Sequence, residues 1–241
     1  MTAICIFCNV YVESATLLSL RLKIPILSEL RANEIIICFG SAIDPKKLID
    51  FSIRNPVKYI IINGENVSSK YYDPNDEVGR YYIYLQKKHI TMQYSPYTAK
   101  YVEDKFGIKC NAVIDFEFMN RDNLYYSCDE PIDILFYGFP NEQRQNVETL
   151  LKNKYPDKNI HFAFTVYGND LLELLVKSKY VLNIPYFENS ALEIHRINQA
   201  LACGCKVIST RSSCEYLNKK YESKISFIND WLDIDKIILF W

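Results

Sequence analysis

Glycine is scarce in this chain, with seven residues in 241, and none of the seven falls in a G-x-G-x-x-G or a P-loop. Such loops need glycine where backbone N–H groups close on phosphate, so dinucleotide-binding and ATPase readings lose most of their support. Charge imbalance is also missing: the net charge of −1 gives no general attraction to nucleic acid, and no nucleic-acid partner is expected. No apolar run reaches the roughly 18 residues needed to span a bilayer, and the opening MTAICIFCNVYVES has no basic stretch before its apolar residues. A soluble, unprocessed chain without a transmembrane segment is therefore expected. Homopolymer and Pro/Ser-rich tracts are absent, and with 49% hydrophobic and 24% charged residues the chain reads as globular throughout. No Asp-x-Asp site demands a metal.

Cysteine, by contrast, is plentiful, with eight residues. Cys5, Cys38 and Cys110 lie inside or beside apolar strand-like runs, where a free thiol behaves as a small hydrophobe, and a reducing cytosol fits best. Cys5 and Cys8 form a C-x-x-C, but no glycine shapes a knuckle and no second pair matches it, so they read as buried thiols. Richness in Ile, Lys, Asn and Tyr suggests an AT-rich genome, such as that of a virus, parasite or endosymbiont. The expected location is the cytoplasm, the host's if the source is viral.

Short apolar runs at residues 3–7, 34–39, 59–62, 90–93 and 112–114 read as strands, with helical periodicity between them at 14–21, 45–51, 74–87 and 97–106. The alternation suggests βαβ units. A polar segment, MNRDNLYYSCDEP at 119–131, has no periodic apolar face and marks a linker; the boundary is placed between residues 125 and 126. Alternation then restarts, with strands at 132–137, 160–164, 180–184 and 224–228 and helices at 141–153 and 170–177. A terminal helix over 231–241 is placed to cross back onto the first domain.

The richest stretch is KYVLNIPYFENSALEIHRINQALACGCKVIST, residues 179–210. An apolar strand runs into a polar loop with Glu188, Asn189 and Ser190. Leu192, Ile194, Ile197 and Leu201 then recur at helical spacing until Gly204 stops the helix. A loop feeding a helix amino end presents unpaired N–H groups and a positive dipole, which favours an anionic ligand. Glu193, Arg196 and Gln199 follow at three-residue spacing on one broad face, either as a ligand-binding set or as an intrahelical ion pair. His195 beside them suits a surface or a core. Arg144 lies in the first turns of the helix after Gly138, where a guanidinium grips phosphate or simply decorates an exposed helix. Gly138 and Gly168 sit where ligand loops belong beyond strand carboxyl ends, or where plain turns do.

On these residues the chain resembles the GT-B-type glycosyltransferases. DILFYGFPNEQRQNVETLL at 133–151, and VYGNDLLELLVKSKYVLNIPYFENSALEIHRINQALACGCKVIST at 166–210, resemble their donor-binding domain; YIIINGENV at 59–67 and ITMQYSPYTAKYVEDKFGI at 90–108 resemble parts of the partner domain. The resemblance implies an α/β fold of two Rossmann-like domains facing a cleft. Residues 1–125 would form the acceptor side, and residues 126–241 would bind the nucleotide-sugar donor. It implies room for sugar and diphosphate at Gly138, a diphosphate contact at Arg144, and the base near Tyr167 and Gly168. It further implies donors at Asn189, Ser190 and Ala191, hydroxyl binding by Glu193, and phosphate binding by Arg196. Many such enzymes have a glutamate where this chain has Gln199, and a second one eight residues earlier, where it has Ala191.

The activity so implied is a hexosyltransferase-like transfer of sugar from a nucleotide-sugar to a glycan, protein or small-molecule hydroxyl, with no metal or other cofactor. Glu65, at the end of a strand, is the candidate general base, and Glu193 the other candidate catalytic residue. The alternative is a catalytically inactive nucleotide- or glycan-binding module of the same fold.

Overall fold

A computed structural model describes residues 2–5, 12–32, 34–40, 44–114, 116 and 129–238, without the Leu17 side chain. The chain divides into two compact units, Met1–Phe118 and Met119–Trp241. The expected boundary between 125 and 126, and most of the polar linker, lie outside the described residues.

The first unit contains β1 (Thr2–Cys5), α1 (Val12–Leu22), β2 (Ile26–Leu27), β3 (Ile35–Phe39), α2 (Pro45–Arg54), β4 (Lys58–Ile62), α3 (Glu77–Lys88), β5 (Ile90–Gln93), α4 (Pro96–Phe106) and β6 (Ala112–Val113). Its strands are parallel, in the order β2-β1-β3-β4-β5-β6. Runs such as IIICF in β3 are apolar without alternation because helices cover both faces of such a sheet. Asp44, Asp76 and Ser95 cap α2, α3 and α4 through their side chains, so each helix begins where the sequence supplies an oxygen for its orphan N–H groups. Ile36, Tyr59, Ile61, Tyr82 and Leu85 are among the core residues. Burying each such side chain contributes about 1.5–3 kcal/mol.

The second unit contains β7 (Ile132–Gly138), α5 (Glu142–Lys154), β8 (Ile160–Phe164), α6 (Gly168–Val176), β9 (Ser178–Asn183), α7 (Ile194–Ala202), β10 (Lys206–Thr210), α8 (Glu215–Tyr221), β11 (Ser226–Ile228) and α9 (Asp235–Ile238). Its parallel sheet has the order β11-β10-β9-β7-β8. The chain leaves β7 on one side to form β8 and then returns to the other side for β9. The carboxyl ends of β7 and β9 therefore flank the point where winding reverses, and loops leaving those ends diverge and leave a crevice.

Three elements differ from the sequence expectation. The two-residue β2 and the seven-residue α8 are too short for periodicity to reveal. The terminal segment is a 3₁₀ turn, Trp231–Ile234, followed by the short α9. Trp231, Ile234 and Ile238 belong to the second unit's own core, which accounts for this segment's apolar face; residues 239–241 are outside the described set.

Candidate functional site

The crevice at the carboxyl ends of β7 and β9 holds two buried guanidiniums. Arg144 reaches it from the first turn of α5, whose start is fixed by Asn141: its side chain accepts the Arg144 N–H at 2.9 Å and donates to the Tyr186 carbonyl at 2.9 Å. Arg144 is only 2% exposed, far from the surface position that a lone helical arginine suggests. It donates from Nε and Nη2 to the Ile184 carbonyl at 3.2 and 2.8 Å and from Nη1 to the Phe139 carbonyl at 2.7 Å. Arg196 arrives from α7, donating from Nε to the Tyr137 carbonyl at 3.0 Å and from Nη1 to Asn183 Oδ1 at 3.1 Å. Both guanidiniums lie over the Phe136 ring, at 5.0 and 5.1 Å from its centroid. The aromatic face offsets part of their desolvation.

One carboxylate is shared between them. Glu193 Oε1 accepts from Arg144 Nη2 at 2.9 Å and from the Tyr186 N–H at 2.8 Å, while Oε2 pairs with Arg196 Nη1 at 2.7 Å. Two cations against one anion leave the cluster with a surplus of one positive charge. Burial pushes the Arg144 pKa down to about 10; Glu193 opposes that shift and Arg196 adds to it. The guanidinium stays charged at neutral pH. Arg196 Nη2 meets no acceptor among the described residues and points at Gly138. A Cβ at Gly138 would lie 2.8 Å from that nitrogen and 3.3 Å from Arg144 Nη1, and its φ of +145° disfavours any side chain. Glycine is required here for close approach.

The loop before α7 departs from the expected geometry. The helix begins at Ile194 with Glu193 as its N-cap, so Asn189, Ser190 and Ala191 belong to the preceding loop and not to the helix start. Glu193 makes no capping bond because its carboxylate is drawn to the guanidiniums. Beyond the carboxyl ends of β9 and β10 this loop encloses a cavity of about 270 Å³, lined by Asn183, Phe187, Asn189, Ser190, Thr210 and Ser213 among others. The buried Ser190 and the half-buried Thr210 present hydroxyls with no partner among the described residues. Asn183 links the cavity to the cation cluster: its Oδ1 takes Arg196 and its Nδ2 donates to Ser209 Oγ at 3.0 Å.

Other expected residues are placed as follows. Tyr167 is the N-cap of α6, and its ring stands 6.4 Å from that of Phe139, which is half exposed; Phe139 was not singled out from sequence. Gly168 has φ +66° with open space around its missing Cβ, so backbone conformation alone selects it. Gln199 is buried, and its Oε1 takes the Tyr137 hydroxyl at 3.0 Å, while Nε2 has no partner among the described residues. His195 is half-buried with its ring Nε2 turned into the interior, and desolvation pushes its pKa down to about 3, which makes it a neutral imidazole. The chain does contain a literal Asp-x-Asp, Asp233 and Asp235, which the sequence reading passed over; Lys236 and Lys154 pair with these carboxylates.

In the first unit, Glu65 follows β4 on a loop fastened by Asn63. Asn63 Oδ1 accepts the Glu65 N–H at 2.9 Å and the Tyr82 hydroxyl at 2.9 Å; Nδ2 donates to the Glu65 carbonyl at 3.1 Å and to Gln93 Oε1 at 2.7 Å. All four hydrogen-bonding sites of this buried amide are used, so the backbone at Glu65 is held from the core.

No family model and no curated protein matches the chain. Among solved structures, it is similar to TarM, with a TM-score of 0.52 at 12% identity over 86% of this chain and 47% of that one. It is also similar to sucrose-phosphate synthase from Thermosynechococcus elongatus, with a TM-score of 0.55 at 11% identity over 85% of this chain and 63% of that one. The fold is of the GT-B glycosyltransferase type. The chain spans about half to three fifths of the length of these GT-B neighbours. Its two Rossmann-like units are a compact form of the GT-B architecture.

Proposed function

We propose that the protein transfers a sugar from a nucleotide-sugar to an acceptor hydroxyl without a metal. The observation that carries this reading is the surplus positive charge at the β7/β9 crevice, with Arg196 Nη2 open over Gly138. In such a transfer the acceptor oxygen bonds to the anomeric carbon, the bond from that carbon to the diphosphate oxygen breaks, and the electron pair leaves with the diphosphate. Arg196 and Arg144 face that developing charge from largely buried positions, where fixed donors act more strongly than in water. They take the role that a metal has elsewhere. The acceptor proton goes to Glu65, the general base, on its fastened loop.

The remaining residues then divide the donor. Phe139 and Tyr167 flank the base, with Gly168 shaping the turn beside them. The cavity is smaller than the about 300–1,000 Å³ of typical whole-ligand sites. It suits one sugar ring, met by Asn189, Ser190 and Thr210. Glu193 orients the two guanidiniums, and one lone pair of Oε2 remains for a donor hydroxyl. Gln199 acts through Tyr137, whose carbonyl holds Arg196.

The test is thermal stabilisation by UDP, GDP, ADP, CMP and their sugar conjugates. Ligand at about a hundred times its Kd adds about 2.7 kcal/mol. A selective rise that Arg196→Gln abolishes supports the donor site, and the ligand found goes into a transfer assay with Glu65→Gln. No rise with any nucleotide refutes the reading. The commitment of Glu193 to both guanidiniums favours a second reading, binding without turnover. Nucleotide affinity with neither transfer nor donor hydrolysis over a broad panel decides for it.

A further inference from the structure

In a parallel α/β unit the helices run antiparallel to the strands, so helix carboxyl ends and strand amino ends gather at one end, opposite the ligand loops. In the first unit this end carries large aliphatic side chains in water. Leu20 and Leu22 close α1, Ile53 closes α2, and Ile35 and Ile90 open β3 and β5; Leu20 is 70% exposed and Ile53 76%. Six exposed cations stand among them. Arg21 and Lys23 are beside Leu22, Arg54 is beside Ile53, Lys58 is the register partner of Ile35, and Lys87 and Lys88 end α3 just before Ile90. None of the six lies within ion-pair distance of a carboxylate among the described residues. Glu34, the acid beside Ile35, is half buried and pairs with none of them.

The second unit has the same architecture and serves as an internal comparison. There the first residues of β7 and β8, Ile132 and Ile160, are buried. Lys152, Lys154, Lys177 and Lys179, at the same end, each hold a carboxylate, respectively Glu148, Asp235, Glu173 and Asp133. The second unit also has exposed cations without a carboxylate partner among the described residues at this end, Lys206 opening β10 and Lys219 in the last turn of α8, and one exposed leucine, Leu232, beside Lys154. What sets the first unit apart is therefore the number of exposed aliphatics gathered at its helix and strand ends.

We propose that the strand-amino end of the first unit docks on a membrane surface bearing anionic lipid headgroups. The aliphatics stand at separate helix and strand ends on both sides of the sheet, so they suit a broad, planar partner. Four of the six cations are lysine, a residue depleted in protein–protein interfaces but effective against anionic lipid. Tyr84, exposed on α3 with the Lys88 amine 5.8 Å from its ring centroid, is the kind of amphipathic side chain that sits at a headgroup boundary. Aliphatic insertion and headgroup attraction together give the two signals that reversible membrane binding requires. The net charge of −1 means that attraction comes from this face and not from the whole chain.

The experiment is flotation of the purified full chain with vesicles of phosphatidylcholine alone, or of phosphatidylcholine mixed with phosphatidylglycerol. The protein is expected to float with the anionic vesicles, to stay behind with neutral ones, and to be released by high salt. Joint Lys87→Glu and Lys88→Glu replacement lowers the partition coefficient roughly fivefold or more per lysine. Joint Leu20→Ser and Ile53→Ser replacement lowers it roughly tenfold or more. Both pairs are exposed, and circular dichroism confirms that the variants fold. Joint Lys177→Glu and Lys179→Glu replacement in the second unit leaves binding unchanged. Absence of flotation with anionic vesicles at low salt overturns the proposal, as does binding that neither first-unit pair weakens or that the second-unit pair weakens equally. A concentration-dependent dimer abolished by the first-unit variants also overturns it and gives the face to a second copy of the chain.

Discussion

Replacing Glu193 by glutamine keeps the side chain's shape and deletes the one negative charge between Arg144 and Arg196. The cluster then holds two positive charges without compensation, on side chains that are 2% and 8% exposed. Removing one partner of a fully buried pair costs about 3–5 kcal/mol, chiefly because the other charge is left stranded. Glu193 retains 29% exposure, so water screens part of the interaction, and a glutamine oxygen can still accept one N–H. The expected loss is therefore about 2–3 kcal/mol, or a fall of roughly 6–12 °C in the melting of the second unit. Calorimetry in low-salt buffer reads this directly.

A second arm of the same experiment separates charge from shape. The deleted carboxylate occupies guanidinium N–H groups that an anionic ligand also needs, so its removal raises the local potential. Inorganic pyrophosphate should raise the melting temperature of Glu193→Gln more than that of the parent chain at equal concentration. If the variant melts within a degree or two of the parent, the shared carboxylate carries little energy and the ion-pair account fails. If it is destabilised but pyrophosphate gives the same or a smaller increment, the crevice is a structural charge cluster and not an anion site.

Gly138→Ala tests the close approach independently: the added methyl meets Arg196 Nη2 at 2.8 Å with φ at +145°, so a loss of about 1–3 kcal/mol and weakened nucleotide stabilisation are expected, while unchanged urea unfolding with full nucleotide binding would refute the account. His195 makes stability depend on pH. Its folded pKa, depressed to about 3 from an ordinary 6.5, means that the unfolded state binds the extra proton, so this contribution is intact above pH 6.5 and is lost as pH falls toward 3. Between pH 6.5 and 5 the loss is about 2 kcal/mol, and His195→Leu should flatten that slope in urea titrations; a parallel slope would show that another group governs it.

Much of the fold was legible because it rests on local signals. The apolar runs at β3, β4 and β7 and the capping oxygens at Asp76, Ser95 and Asn141 mark their elements within a few residues. Short elements such as β2 and α8 carry no period to read, since two to seven residues complete at most two turns of a helix. The candidate site was legible as a list of residues but not as a constellation. Glu193 and Arg196 are three apart, and their pairing follows from helix geometry. Arg144 lies 49 residues away from Glu193, and its burial depends on β7 and β9 being neighbours, which is a property of strand order.

That distinction explains why the same residue types were assigned different partners from sequence. At Glu193 a spacing rule offers either an intrahelical pair or a ligand, because it counts only residues on the same helix. Once β7 and β9 bring Arg144 alongside, the carboxylate has two cations to satisfy and the helix loses its cap to them. Gly138 follows from the same arrangement. Its sequence context suggests a ligand loop or a plain turn, yet the glycine is needed because two side chains from α5 and α7 converge on its backbone. Asn63 is the counterpart in the first unit: nothing in a single asparagine after a strand reveals that Tyr82 and Gln93, from α3 and β5, will complete its hydrogen bonds and fasten Glu65. In each case the side chain is local in sequence, but its role is set by which strands stand side by side.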